Sequence, residues 1–349
     1  MTAGQQQRAP DGEGAPSSSP SPRGRDGAEA SDPGRRRVTL VLGVGSLGYA
    51  RLCIGSLFAH AIEPLDVRFV TDDRDDARTM TEAIRALDIP DRHRWTVYAF
   101  EYLDDLAADR IPRHAHVRGF MRGHPCWRKI TDPLLLAEDG EEAIILDPDV
   151  YFPSPFVFET TPAVGILLMW QPPNCLLPPE VVERAFELGP LADHTDIGVA
   201  HARTPLDWDW LDDFIGRLGG TSLPRSMHVE SIVWAALAMR VGGGHLDPAR
   251  WWCYRHHQAK RVALKLGVPG PAIVRREPLH RVKAFHAGGP AKHWLVAADP
   301  TPPARPDPAL TGPSRILPFE PFPRSKHQAK LRRTALLESA GYYRLLGGG

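Results

Sequence analysis

The run Ala143-Ile144-Ile145-Leu146-Asp147-Pro148-Asp149-Val150-Tyr151-Phe152 limits what this chain can fold into more than any other stretch. Four apolar residues in succession, two of them β-branched, predict a buried strand with no polar face, as in a parallel sheet covered on both sides. The strand runs into two aspartates separated by one proline. Pro148 fixes its own φ and drives Asp147 toward an extended conformation, so both carboxylates leave a stiff turn at the strand's carboxyl end. That edge is where open α/β sheets bind ligands. Two carboxylates a residue apart suit a divalent cation that keeps positions open for phosphate oxygens. The bland alternative is an Asp-Pro turn capping a neighbouring element. Asp-x-Asp alone is a weak pattern. It recurs at Asp73-Arg74-Asp75 and Asp207-Trp208-Asp209, which read as a solvated helix start and a surface turn.

The segments before this run alternate between strand and helix. Val38-Thr39-Leu40-Val41-Leu42 is a predicted strand, followed by Gly43-Val44-Gly45-Ser46-Leu47-Gly48 and a helix carrying Leu52, Ile54, Leu57 and Phe58. A second strand covers 66–71 and ends in Asp72-Asp73. Helices are predicted over 74–87 and 127–138, with a strand over 95–100 between them; Pro133 delays or kinks the later helix. This alternation predicts an α/β fold built on a doubly wound sheet. The first unit also spells Gly-x-Gly-x-x-Gly with an acidic residue about 20 positions on, the dinucleotide fingerprint. A glycine-rich turn allowing a tight strand-to-helix connection, with Asp72 capping the next helix, explains the same residues.

Further strands are expected over 163–169 and 194–200, the latter setting Asp196 and Gly198 at an entrance. Glu230 opens a helix, where an acid commonly does no more than complement the dipole. Trp251-Trp252-Cys253-Tyr254-Arg255-His256-His257 reads equally as a stacking platform for sugar or as a satellite core. The second informative stretch is Val282-Lys283-Ala284-Phe285-His286-Ala287-Gly288-Gly289-Pro290-Ala291-Lys292-His293-Trp294. His286 ends a short strand, two glycines admit a ligand close to backbone, and Lys292 follows. Together they make an anion clamp whose imidazole can complete a metal shell.

The flanks differ in composition. Residues 1–36 hold almost no large apolar side chain and are expected to be disordered. Residues 299–324 read as a proline-rich linker, and 325–349 as a basic helix and tail. That helix could lie on a membrane surface, but packing on the body is the commoner outcome. The 349 residues, with 42 basic and 42 acidic side chains, allow one large domain and give no global attraction to nucleic acid. Four scattered cysteines argue for reduced thiols and a cytoplasmic protein. Arg35-Arg36-Arg37 imitates a twin-arginine signal, but the segment is better used as the first strand and helix.

With both informative stretches in hand, the chain over 38–294 resembles the GT-A class of nucleotide-sugar glycosyltransferases, closest to glycosyltransferase family eight, the glycogenin-like and galactosyltransferase-like retaining enzymes. The resemblance lies in the order of its motifs: a βα unit, a Lys-bearing helix, Leu-Asp-Pro-Asp, Asp-Ile-Gly, an acidic helix start, and His-x-Gly-Gly-x-x-Lys-x-Trp. It implies a single GT-A domain over 37–298 and hexosyl transfer, with retention, from a nucleotide-sugar donor, UDP-linked. The acceptor would be a saccharide, a lipid-linked compound or a small molecule. It implies Mn²⁺ or Mg²⁺ held by Asp147, Asp149 and His286, with Lys292 on the phosphates and Gly288 and Gly289 giving backbone contacts. Val44, Gly45, Asp72 and Asp73 would meet base and ribose. The basic residue before the metal strand fits Arg128 or Lys129, and Glu230 and Asp196 would handle the acceptor. The family has Asn-Ser-Gly where this chain has Asp196-Ile197-Gly198, and Asp-Gln where it has Val229-Glu230. The rival readings are an NAD(P)-dependent oxidoreductase resting on Gly43 to Gly48, and a catalytically silent binding module.

Overall fold

The computed structural model describes residues 34–255, 257–303 and 305–341. The N-terminal segment expected to be disordered, apart from its last three residues, lies outside the described residues, as do His256 and the tail after 341. The elements run β1 (Arg36–Val41), α1 (Leu47–His60), β2 (Leu65–Thr71), α2 (Arg74–Arg85), β3 (Arg94–Ala99), α3 (Phe100–Arg110), α4 (Ala115–Met121), α5 (Arg128–Leu136), β4 (Glu142–Leu146) and β5 (Val150–Tyr151). There follow β6 (Ile166–Trp170), α6 (Pro179–Leu188), β7 (Thr195–Arg203), α7 (Trp208–Leu218), α8 (Val229–Val241), β8 (Gly243–Leu246), β9 (Trp251–Cys253) and α9 (Gln258–Lys265). The chain closes with α10 (Gly270–Val274), β10 (Ala284–His286), α11 (Ala291–Ala298), β11 (Ile316–Pro318) and α12 (Arg324–Ser339).

Eight strands form one mixed sheet in the order β11-β8-β6-β7-β4-β1-β2-β3. β1, β2, β3 and β4 are parallel, and β7 runs antiparallel between β4 and β6. β4 is apolar from Ala143 to Leu146 because alternate residues enter two different cores. Ala143 and Ile145 join Val41, Ala200 and Ala202 under α3 to α8, while Ile144 and Leu146 join Val38, Leu40 and Val199 under α1 and α2. Each fully buried aliphatic side chain contributes about 1.5–3 kcal/mol, so a one-residue slip of β4 would cost several such terms at once. This is the doubly wound α/β sheet that the alternation predicts.

A smaller sheet, β5-β10-β9, sits beyond the end of β4 with α10 and α11 packed on it. Its central strand carries His286, which pairs with Val150 on one side and Cys253 on the other. The region 299–324 departs from the linker expectation. It contributes β11 as the outermost strand of the main sheet and buries Leu310 and Phe322. A three-residue strand is too short to show a periodicity among prolines, and an edge strand tolerates Pro318. α12 docks on the body: Arg324 bonds Glu183 at 2.8 Å, and His327 is buried against Phe186 and Phe322. Among the described residues no helix is long and apolar enough to cross a membrane.

Candidate functional site

The two extra Asp-x-Asp copies are helix caps. Asp73 accepts from the Asp75 and Asp76 amides at the start of α2, and Asp207 accepts from the Trp210 amide at the start of α7. Asp147-Pro148-Asp149 caps no helix. The Asp147 amide donates to the Gly198 carbonyl at 2.9 Å, and the Asp149 carbonyl accepts from the Ala287 amide at 2.9 Å. The acidic corner is therefore tied on one side to β7 and on the other to the chain just after β10.

Three side chains from distant sequence positions converge there. His286 Nε2 lies 3.3 Å from Asp149 Oδ1 and 3.6 Å from Asp147 Oδ2, and the ligand atoms of all three lie within 4.8 Å of one another. On its other edge, His286 Nδ1 is 2.9 Å from Asp196 Oδ1, and the Gly198 amide donates to that same oxygen at 2.9 Å. Gly198 is required for this packing, since a Cβ there would lie 2.4 Å from His286 Nδ1. A second possible metal cluster, Asp196, Cys253 and His286, shares the imidazole. Its Nδ1 side is already filled by the Asp196 hydrogen bond, and burial pushes the metal-free Cys253 thiol up to about 12.

Behind the corner, Lys129 Nζ reaches Asp147 Oδ1 at 2.6 Å and Glu230 Oε1 at 2.7 Å. Burial works against the charged ammonium, but Asp147 and Glu230 hold its pKa well above the ordinary lysine value. Burial raises Asp147 despite Lys129 and His286, and pushes Glu230 up to about 8. Asp149 and Asp196 are lowered: burial opposes ionisation there, and the nearby His286 overcomes it. The same contacts hold His286 well above the ordinary imidazole value, again against burial. Four carboxylates thus share a buried space with two cations, an excess of negative charge that suits a divalent ion. Glu230 Oε2 is buried and has no hydrogen-bond partner among the described residues. Glu230 is no surface complement to the helix dipole but an interior group pinned to Lys129.

Arg128, one position before Lys129 on α5, points elsewhere. Its Nη1 donates to Asp72 at 3.0 Å, its Nε donates to Asp132 at 2.9 Å, and the guanidinium lies over Phe100. Asp72 stands beside the turn after β1, where a Cβ on Gly43 would fall 2.7 Å from its Oδ2. Asp73 spends one oxygen on the α2 cap. Val44 and exposed Gly45 form the turn itself, and the Val44 amide meets Asp76 at 3.4 Å, a partner the sequence reading did not single out. Gly45 and Gly48 have open space where a Cβ would go. The dinucleotide fingerprint needs its last glycine for close helix-to-strand packing; Gly48 makes no such approach, and the strand after β4 in the sheet is inverted.

The late motif lies against the turn after β1. Lys292 Nζ lies 4.7 Å from the Tyr49 ring centroid, and its charge helps lower Asp149. Tyr49 in turn donates to Ser46 at 2.9 Å, so the turn after β1 and the start of α11 face each other. Gly289 has φ +65°, and Gly288 borders the His286 ring, with room for a Cβ only 3.7 Å from Nε2. The aromatic run at 251–257 divides between both readings. Trp251 and Tyr254 are core, whereas Trp252 is half-buried and stacks on Arg255.

No family model matches the chain, and no curated protein matches it by sequence. Among solved structures it is similar to the crystal structure of mouse xyloside xylosyltransferase 1 in its apo form. The TM-score is 0.48 at 12% sequence identity, over 72% of this chain and 97% of that one.

Proposed function

We propose that this protein is a metal-dependent glycosyltransferase that moves a sugar from a nucleotide-sugar donor, UDP-linked, to an acceptor with retention. The observation that carries the reading is the meeting of Asp147, Asp149 and His286 at one edge of the sheet. The donor set fits a hard divalent ion: two carboxylates and one imidazole suit Mn²⁺ or Mg²⁺. Asp196 on Nδ1 leaves Nε2 as the ligand atom, the arrangement by which an outer carboxylate orients a metal-bound histidine. When bound, the ion would supply positive charge against the departing diphosphate.

The remaining roles belong to the chain itself. Lys292 meets the phosphates, with Gly288 and Gly289 offering backbone amides. Val44, Gly45 and Asp72 take base and ribose, and Asp73 holds Asp72 in place by capping α2. Lys129 fixes Asp147 and Glu230 together, and Glu230 Oε2 accepts a donor-sugar hydroxyl. Asp196 is a positioning residue for His286. With both acids committed, the acceptor proton passes to the leaving phosphate on the same face, as the bond from C1 to phosphate oxygen breaks and the bond to the acceptor oxygen forms. Residues 37–298 supply these groups and form the transferase body in this reading.

A donor screen tests it. Purified protein with Mn²⁺ is expected to release nucleoside diphosphate slowly from one member of a sugar-nucleotide panel, and Asp149→Asn to abolish that release. Binding across the panel with no turnover would favour the silent module. Thermal stabilisation by NAD alone, with none from UDP-glucose and Mn²⁺, would favour the oxidoreductase.

A further inference from the structure

We infer that Arg255, clasped between Trp170 and Trp252, anchors an anionic substituent of the acceptor, a phosphate monoester or a carboxylate on a sugar. The inference rests on the glycosyltransferase reading for what the bound molecule is, but the site has its own evidence. The guanidinium carbon lies 4.3 Å from the Trp252 ring centroid and 5.5 Å from that of Trp170. Its Nε is buried without a hydrogen-bond partner, and among the described residues no carboxylate pairs with it. Arg118 Nε is likewise buried without a partner, so what distinguishes Arg255 is the two indoles beside it, whereas several other arginines are paired. Arg36 bonds Glu63 and Glu142, Arg128 bonds Asp72 and Asp132, and Arg250 bonds Asp307. A planar fork resting against one indole with a second nearby is oriented in advance, which favours bidentate recognition of carboxylate or phosphate.

Its location joins it to the reacting centre. The Tyr254 amide donates to the His286 carbonyl at 2.9 Å, and Arg255 is the next residue. Trp170 pairs with Thr195, adjacent to the Asp196 that holds the imidazole. Arg255 lies two residues beyond Cys253, which pairs with His286, and Trp170 one residue beyond Met169, which pairs with Asp196. The platform continues outward: His194, at φ +56°, lies 4.6 Å from Trp170. A second cation, Lys330 of α12, approaches the loop after β6. Lys330 reaches only the Asn174 carbonyl at 3.3 Å, and burial lowers its pKa. Indole faces beside a fixed cation suit a ring bearing negative charge, with the apolar face of the sugar against the aromatic.

The test measures binding of glucose, glucose 6-phosphate and glucuronate to the full chain, by calorimetry, with UDP and Mn²⁺ occupying the donor side. The wild type is expected to bind at least one charged sugar about 10-fold more tightly than glucose. R255Q should bring all three within about 3-fold, and R255K should fall between them because it keeps charge without the fork. Whichever charged sugar binds more tightly identifies phosphate or carboxylate as the source. Charged sugars that bind no better than glucose, or undetectably, overturn the inference, as does a preference that R255Q retains. Donor hydrolysis by the wild type is run alongside. If hydrolysis and UDP binding are both absent, the glycosyltransferase reading falls, and the R255Q contrast on nucleotide-free protein still decides whether the anion site exists.

Discussion

The carboxyl ends of β1 and β4 lie side by side in the sheet, and each carries a sequence motif, yet they end in different physical situations. After β1, Gly45 and Gly48 border open space, and the acids near them are engaged by a helix cap and by Arg128. After β4, two acids meet an imidazole delivered by another sheet, and a third acid fixes that imidazole from behind. The difference teaches that a short motif gains chemical meaning when distant chain converges on it. Glycines and acids at a strand end are common. A histidine locked among three carboxylates is not explained by local turn geometry.

The comparison can be broken most directly at β4. Asp149→Asn and His286→Ala are each expected to lower metal-dependent donor turnover by at least about 10³-fold, on the scale of losing a main electrostatic stabiliser. Gly198→Ala should come next. Its new Cβ must displace the His286 ring, so turnover should fall on the order of 10²-fold while overpacking costs about 1–3 kcal/mol in chemical denaturation. Asp196→Asn should weaken Mn²⁺ affinity about 10- to 100-fold, with turnover largely recovered at saturating metal; unrecovered turnover would make Asp196 more than a positioning residue.

A pH series sharpens the same contrast. The folded pKa of His286 is raised, so its stabilising charge is complete below the unfolded value near 6.5 and is lost as pH rises through the folded one. Glu230, pushed up to about 8 by burial, also removes stability as pH climbs between its unfolded value and 8. Metal-free protein should therefore melt lower as pH goes from 7 to 9, above the range in which burial-depressed histidines such as His93 and His201 act in the opposite sense. The stabilisation by Mn²⁺ should grow over that range, because the ion needs the unprotonated Nε2. A flat metal increment would argue against His286 as a ligand. The smallest effect is expected just after β1, where Gly48→Ala at the exposed start of α1 should leave donor turnover unchanged and raise stability by at most about 1 kcal/mol.

Much of this architecture was legible in advance. Strands of continuous aliphatics and helices between them are local signals, and β1 to β4 fall within a residue or two of where the sequence puts them. Asp147 and Asp149 stood out because they end an apolar run, and His286 was joined to them by what the family resemblance implies. What was not legible depends on contacts between distant residues. Nothing near Asp196 announces that its carboxylate faces an imidazole 90 positions on. Glu230 at a helix start gives no hint of Lys129. Gly198 has ordinary backbone angles, so only the ring packed against it reveals its constraint. β11 was hidden by proline content, and Arg255 lay inside an aromatic run whose two readings differ only in which rings stay exposed.

The pairing of β5 with β10 has a consequence for how the protein comes into being. The acidic corner leaves the ribosome well before the strand that carries His286, and the two are stitched directly together, His286 against Val150. A nascent chain therefore lacks the imidazole that faces Asp147 and Asp149 until residue 286 has been made.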